Sequence, residues 1–134
     1  MSTTLRGAVL GAWELVSFVA RNVATGEDRH PLGTSPRGLI LYTAAGYMSA
    51  QLAKSDMDSY VAYGGPFFVD EQTSTLHHDA SMSMMPELLA QPQFRQASVD
   101  GDLLTLSATT TDDAGATTQS SLVWRRATGP ARRS

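Results

Sequence analysis

Two adjacent histidines, His77 and His78, have the clearest capacity for chemistry in this sequence. Histidine titrates near neutral pH and can act as a general acid or base when it is held in a cavity. On a strand, His78 would share a face with the apolar Leu76 and Met82, whereas His77 would share the other face with Asp79. We therefore expect His78 to point inward and to serve the site. The alternative is a core histidine bonded to a backbone or hydroxyl partner.

The same alternation argues against a metal site. Adjacent strand residues point to opposite faces, so His77 and His78 cannot bind one ion without a distorted backbone. The third histidine, His30, lies in a distant polar segment, and the chain contains no cysteine. The sequence also lacks a dinucleotide fingerprint, a phosphate-binding glycine loop and a Ser-His-Asp motif. We expect a protein without a metal and without a cofactor.

Three tyrosines, Tyr42, Tyr47 and Tyr63, form a second group of candidates. Inside a barrel, a tyrosine hydroxyl can polarise a carbonyl group or orient a ligand, although any one of them can equally be an interior aromatic bonded to the backbone. Tyr47 alternates with Ser49 and Gln51 to form a polar row. If that row faces inward, the cavity suits a ligand with oxygen atoms. If it faces outward, the strand is an ordinary amphipathic one.

The remaining candidates are one cation and several large apolar side chains. Arg95 is expected either to reach the interior and anchor a carboxylate or enolate, or to form an ion pair at the barrel rim. Trp13 and Trp124 are expected to close the barrel floor, with a cation-π contact between Trp13 and an arginine. Phe67 and Met82 offer a soft apolar wall for a ligand, with plain core as the alternative.

These residues sit in a sequence dominated by strand patterns. Eight segments are rich in β-branched and aromatic residues and are separated by turn residues: 12–21, 38–43, 47–52, 66–70, 73–84, 94–99, 103–109 and 117–126. Residues 54–62 are predicted to form a short helix or a turn. Eight strands with short connections predict an all-β fold, an eight-stranded antiparallel up-and-down barrel with at most a short helix. Such a barrel has room for packed side chains or one small ligand.

Length and composition limit the class of protein. The chain of 134 residues is expected to form one domain, because its 42% hydrophobic and 17% charged residues are typical of a single globular core. The net charge is −3, and the basic residues cluster only at Arg125, Arg126, Arg132 and Arg133, which argues against a nucleic-acid partner. No segment has the length of a membrane span or a signal peptide, so we expect a cytoplasmic protein with no membrane partner.

Several short motifs are distributed along nearly the whole chain. The first is residues 11–17, which contain Gly11 and Trp13. The others are residues 38–42, 46–52, 75–78, 100–106 and 122–126. Together they resemble the lipocalin-like domain family of bacteria and fungi, whose members are often found near natural-product pathways. The resemblance implies an eight-stranded barrel with Trp13 plugging one end, and it implies no single activity.

Two functions from different classes remain open. The first is a cofactor-independent natural-product tailoring enzyme of the cyclase, isomerase or lyase type, acting on a hydrophobic oxygenated small molecule, with His78 and Tyr63 as catalytic residues. The second is a non-catalytic protein that binds or carries such a ligand. In both cases the protein is expected to be a monomer or homodimer. The expected ligand contacts come from Trp13, Tyr42, Tyr47, Ser49, Gln51, Phe67, Met82, Arg95 and Trp124.

Overall fold

A computed structural model describes residues 4–89 and 92–128 of the chain. Eight long strands form its wall: β1 (Gly11–Asn22), β3 (Arg37–Tyr42), β4 (Tyr47–Ala53), β5 (Val61–Asp70), β6 (Thr75–His78), β8 (Gln93–Asp100), β9 (Leu103–Thr111) and β10 (Thr117–Arg126). Two further strands have two residues each, β2 (Asp28–Arg29) and β7 (Met82–Ser83). The basic residues Arg132 and Arg133 lie outside the described residues.

The long strands pair antiparallel with their neighbours, and the sheet closes on itself. Strand β10 returns to pair with β1 along nine residue pairs, from Trp13 opposite Arg126 to Asn22 opposite Thr118. Closure leaves none of these eight strands as a free edge along its full length. The predicted eight-stranded antiparallel barrel is confirmed.

In the part of the chain that the structure describes, helix is confined to two short pieces, α1 (Leu5–Val9) and a 3-10 turn at Pro86–Leu89. Among residues 4–89 and 92–128, no helix is long and apolar enough to cross a membrane. The sequence patterns did not predict α1, which lies across one end of the barrel.

Helix α1 is held at both ends by side chains from distant parts of the chain. At its start, the two carboxylate oxygens of Glu71 accept hydrogen bonds from the backbone amides of Leu5 and Arg6, at 2.8 and 3.0 Å. At its end, the guanidinium of Arg126 donates to the carbonyl of Ala8 at 3.1 Å. Because these contacts satisfy backbone groups that a helix end leaves unpaired, a helix of only five residues is stable here. We call this end of the barrel the closed end.

The largest buried side chains fill the barrel, and several of them lie next to α1. Trp13, Ile40, Leu104 and Trp124 point inward from β1, β3, β9 and β10, and each is almost fully buried. Val9 of α1 is buried with them. Inward residues alternate with exposed ones along these strands, which is the period of two that the sequence shows.

Two local irregularities change which residues face inward. In β1 the pairing with β10 shifts between Leu15 and Ser17, so Phe18 and Ala20 take over the inward face from Leu15. A bulge of this kind adds one residue to a strand and reverses its alternation from that point on.

The second irregularity separates β6 from β7. Phe67 pairs with His78 and Gly64 pairs with Met82, so three steps along β5 correspond to four steps along its partner. The predicted continuous strand over residues 73–84 is therefore wrong. Met82, predicted to share the inward face of His78, is 74% exposed because the extra residue turns it outward.

Residues 54–62 form a turn and the start of a strand, and not the short helix that was one of the two predictions. The amide of Met57 donates to the carbonyl of Lys54, and the side chain of Asp56 accepts from the amide of Asp58. Met57 and Ser59 have φ angles of 68° and 55°, which end any helical path. Strand β5 then begins at Val61, five residues earlier than predicted.

Candidate functional site

The imidazole of His78 lies between two tyrosine hydroxyls inside the barrel. The hydroxyl of Tyr42 is 2.7 Å from Nε2, and the hydroxyl of Tyr63 is 3.1 Å from Nδ1. His78 is only 1% exposed, so the inward orientation predicted for it is confirmed. Both ring nitrogens are hydrogen bonded, as a buried imidazole requires.

Three different strands bring this cluster together. Tyr42 ends β3, Tyr63 lies in the first half of β5, and His78 ends β6. Phe67 of β5 pairs directly with His78 and packs edge to face against Tyr42, with ring centroids 5.0 Å apart. The aromatic contacts fix the rings, so the hydroxyl groups have little freedom to turn away from the imidazole.

Burial sets the charge state of all three groups. Burial, together with the smaller effect of the nearby positive charge of Arg95, lowers the pKa of His78 to about 3. Burial also raises the pKa values of Tyr42 and Tyr63 above their ordinary value of 10, whereas Arg95 acts in the opposite direction on both. The imidazole and the two phenols are therefore uncharged at neutral pH.

Arg95 faces the same interior. Along β8, Arg95 lies two residues before the buried Ala97 and so shares its face. Its partner in β6 is the buried Leu76. Both relations place Arg95 on the inward face. Its guanidinium donates to the carbonyl of its neighbour Phe94 at 3.0 Å. In the part of the chain that the structure describes, no carboxylate forms an ion pair with Arg95, so the predicted rim ion pair is not found there.

The inner wall beyond Arg95 carries small side chains. Ala108 of β9 pairs with Ser120 of β10, which pairs with Ala20 of β1. Two steps closer to the closed end, the corresponding positions carry larger side chains, Leu106, Leu122 and Phe18. The side chains that line the barrel are therefore smaller at the level of Arg95 than nearer the closed end.

A scan against family models matches a lipocalin-like domain over residues 10–57 and 53–127. The chain belongs to the lipocalin-like domain family. Among curated proteins, none matches its sequence. The lipocalin-like barrel suits the binding of a small hydrophobic ligand in its interior.

The two tryptophans lie in the core of this lipocalin-like barrel. The indole of Trp13 donates to the carbonyl of Val9 at 2.8 Å, and the guanidinium of Arg126 lies 4.2 Å from the centre of its ring. The predicted cation-π contact of Trp13 is thus confirmed. The buried indole nitrogen of Trp124 has no acceptor among the described residues, so it is free to bond to a ligand oxygen or a water.

Four predicted ligand contacts lie on the outer face of the wall of the lipocalin-like barrel, and not in its interior. Tyr47 is 57% exposed, and Ser49 and Gln51 follow it on the outer face of β4, while Met48, Ala50 and Leu52 are buried. The polar row faces solvent, so the expectation that it lines the interior is wrong. Met82 lies outside for the different reason given above. The outward row is the simple amphipathic alternative, in which polar residues alternate with core residues.

Of the predicted contacts, Trp13, Tyr42, Tyr63, Phe67, His78, Arg95 and Trp124 face the interior. Their roles in binding or catalysis stay predictions. Sequence reasoning did not find the pairing of His78 with both tyrosines, because the three residues come from three separate strands. Among residues 4–89 and 92–128, no three histidine, aspartate or glutamate residues gather as a group that could hold a metal ion.

The low pKa of His78 predicts how stability depends on pH. The unfolded chain takes up a proton on this residue as the pH falls below about 6.5, whereas the folded state stays neutral down to about pH 3. The contribution of neutral His78 to the free energy of unfolding is thus fully present above pH 6.5. It is lost at lower pH, with a slope approaching about 1.4 kcal/mol per pH unit. Urea unfolding between pH 5 and pH 7.5 should show a steeper loss of stability for the wild type than for His78→Gln. Equal slopes would contradict the neutral buried imidazole.

Proposed function

We propose that this protein binds a hydrophobic small molecule with at least one carbonyl or carboxylate oxygen, inside the barrel. The observation that carries this proposal is the inward guanidinium of Arg95 close to the uncharged Tyr63 and His78. Arg95 has a hydrogen bond to the carbonyl of Phe94 and no carboxylate partner among the described residues. A cation on the inner wall of an apolar barrel favours a ligand that brings negative charge or a strong acceptor.

The hydrogen-bond distances support a second ligand contact at Tyr63. A neutral imidazole donates from one nitrogen and accepts at the other. The 2.7 Å contact suits a Tyr42 hydroxyl that donates to Nε2, and the 3.1 Å contact suits an Nδ1–H that donates to the oxygen of Tyr63. In this arrangement the hydroxyl hydrogen of Tyr63 remains available for a ligand oxygen.

The apolar part of the ligand has its place along the small residues of the inner wall. Ala20, Ala108 and Ser120 leave space beside Arg95, whereas the closed end is filled by larger side chains. A ligand held there would have its oxygen atoms near Arg95 and Tyr63. Its apolar body would be removed from water, which is the main source of affinity in such a site.

The probe anilinonaphthalene sulfonate, a fluorescent aromatic anion, tests this proposal. Arg95→Met should weaken its binding by about tenfold to a hundredfold, because the charge-assisted bond is lost. The matched control is Arg125→Met, which removes the same charge from an exposed residue of β10. Fluorescence titration gives the dissociation constants. If both variants bind the dye as tightly as the wild type, or if the wild type does not bind it, the proposal fails.

Catalysis is the second candidate function, and the hydrogen bonds that connect Tyr63, His78 and Tyr42 favour it. Tyr63 and Arg95 could stabilise negative charge on a carbonyl oxygen as an α-proton passes to water, which is the first step of an isomerisation or cyclisation. His78 is disfavoured as the general base, because its pKa of about 3 makes it a weak proton acceptor at neutral pH. Faster deuterium exchange at the α-carbon of benzoylacetone with the wild type than with Tyr63→Phe would distinguish an enzyme from a binding protein.

A further inference from the structure

The wall of the barrel is interrupted between β8 and β9. Their pairing runs from Asp100 opposite Leu103 to Gln96 opposite Ser107 and ends there. Both strands continue, as residues 93–95 of β8 and 108–111 of β9. Residues 94–95 and 108–111 are therefore not paired with each other, although each segment keeps its partner strand on the other side.

A depression of about 680 Å³ lies at this interruption. It is lined by Phe94, Ser107 and Thr109, which belong to the outer face, and also by Arg95 and Ala108, which belong to the inner face. Because residues of both faces line it, the depression lies at the gap between the two strands. We call it the side opening.

Two features of the local sequence are compatible with the separation of the strands here. Pro92, which lines the opening, precedes β8 and has no backbone N–H to donate to a neighbouring strand. On the inner side, the small Ala108 leaves the long side chain of Arg95 without a bulky neighbour across the gap.

We propose that the small molecule enters and leaves the barrel through the side opening, passing between β8 and β9 and meeting Arg95 at its inner side. This inference rests on the proposed binding function. The closed end offers no such route, because α1 and the buried Trp13 and Trp124 fill it. Entry through the wall also explains why the cation lies on β8, at the gap, and not among the aromatic residues near α1. The ligand class is an amphipathic molecule narrow enough to pass between two strands.

Closing the side opening covalently tests the route. The chain has no cysteine, so the double variant Phe94→Cys, Thr109→Cys places two thiols on opposite sides of the gap and nowhere else. Both native residues are exposed, so the thiols are accessible to a short bismaleimide cross-linker. Ser98→Cys, Thr105→Cys is the matched control, because this pair joins the same two strands where they are already hydrogen bonded.

Stopped-flow fluorescence with anilinonaphthalene sulfonate measures the rates. Cross-linking across the gap should slow both association and dissociation by about tenfold and leave the dissociation constant within about twofold, because a blocked route changes rates and not equilibrium. Cross-linking the control pair should change neither rate. Thr109→Trp, which narrows the opening from the outer face without a cross-linker, should slow both rates in the same way.

Two results separate this inference from the proposed function. If the dye binds to the wild type and depends on Arg95, but neither the cross-link nor Thr109→Trp slows it, the side opening is not the route and the binding site stands. If the wild type does not bind the dye, or if Arg95→Met has no effect, the binding site itself is wrong.

Discussion

His78→Ala is expected to lower the free energy of unfolding by about 2–4 kcal/mol and to weaken dye binding by about tenfold. The stability loss has two sources. Removing a fully buried ring leaves a cavity, and the hydroxyls of Tyr42 and Tyr63 lose the nitrogen atoms to which they are bonded. The binding loss arises because Tyr63 is no longer held in place. Urea unfolding and fluorescence titration measure the two effects.

The neighbouring histidine provides the control. His77 lies on the outer face, where its ring contacts the exposed Phe94 edge to face at 4.6 Å. His77→Ala should therefore change stability by less than about 1 kcal/mol and should leave dye binding unchanged. Equal effects of the two substitutions on binding would contradict the role given to the cluster around His78.

Trp13→Ala is expected to lower the free energy of unfolding by about 3–5 kcal/mol, the largest effect of any substitution discussed. The indole is fully buried, donates to the carbonyl of Val9 and carries the guanidinium of Arg126 on its face. Its loss removes core volume and also frees α1 from the barrel. Since small domains are commonly stable by about 5–15 kcal/mol, this variant should be close to unfolding at room temperature.

Two control variants show where that effect comes from. Trp13→Phe keeps much of the ring volume but leaves the carbonyl of Val9 without its donor, so we expect a smaller loss of about 1–3 kcal/mol. Val16→Ala, on the same strand but outward and exposed, should cost less than about 1 kcal/mol. Circular dichroism during urea unfolding compares all three. A loss below about 1 kcal/mol for Trp13→Ala would contradict the plugging role.

The sequence contained enough information to predict the barrel and the orientation of His78. Alternation of apolar and polar residues marks strands strongly, because each strand has one face in the core and one in water. Trp13 and Trp124 were also expected inside the barrel, from the family resemblance in the case of Trp13, and both are buried. The alternation could not decide the orientation of the row that begins at Tyr47, because hydroxyl and amide groups are compatible with either face.

Features that depend on contacts between distant residues were not predictable. The extra residue between His78 and Met82 reverses the alternation, and it follows from how this segment fits against β5. A Cβ at Gly65 would lie 2.5 Å from the backbone oxygen of Asp79, so the segment approaches β5 too closely for any side chain. Helix α1 is another such feature, since Glu71 and Arg126 hold it from far along the sequence.

The long pairing of β1 with β10 also has a consequence for synthesis of the chain. These strands come from opposite ends of the described residues, so β1 leaves the ribosome first and its partner leaves last. Until β10 emerges, one edge of β1 has no ladder partner over most of its length, and such an edge is prone to pair with other chains. Closure of the barrel is thus a late, non-local step that requires the C-terminal strand, and nascent chains stalled before Thr117 should depend on chaperones to stay in solution.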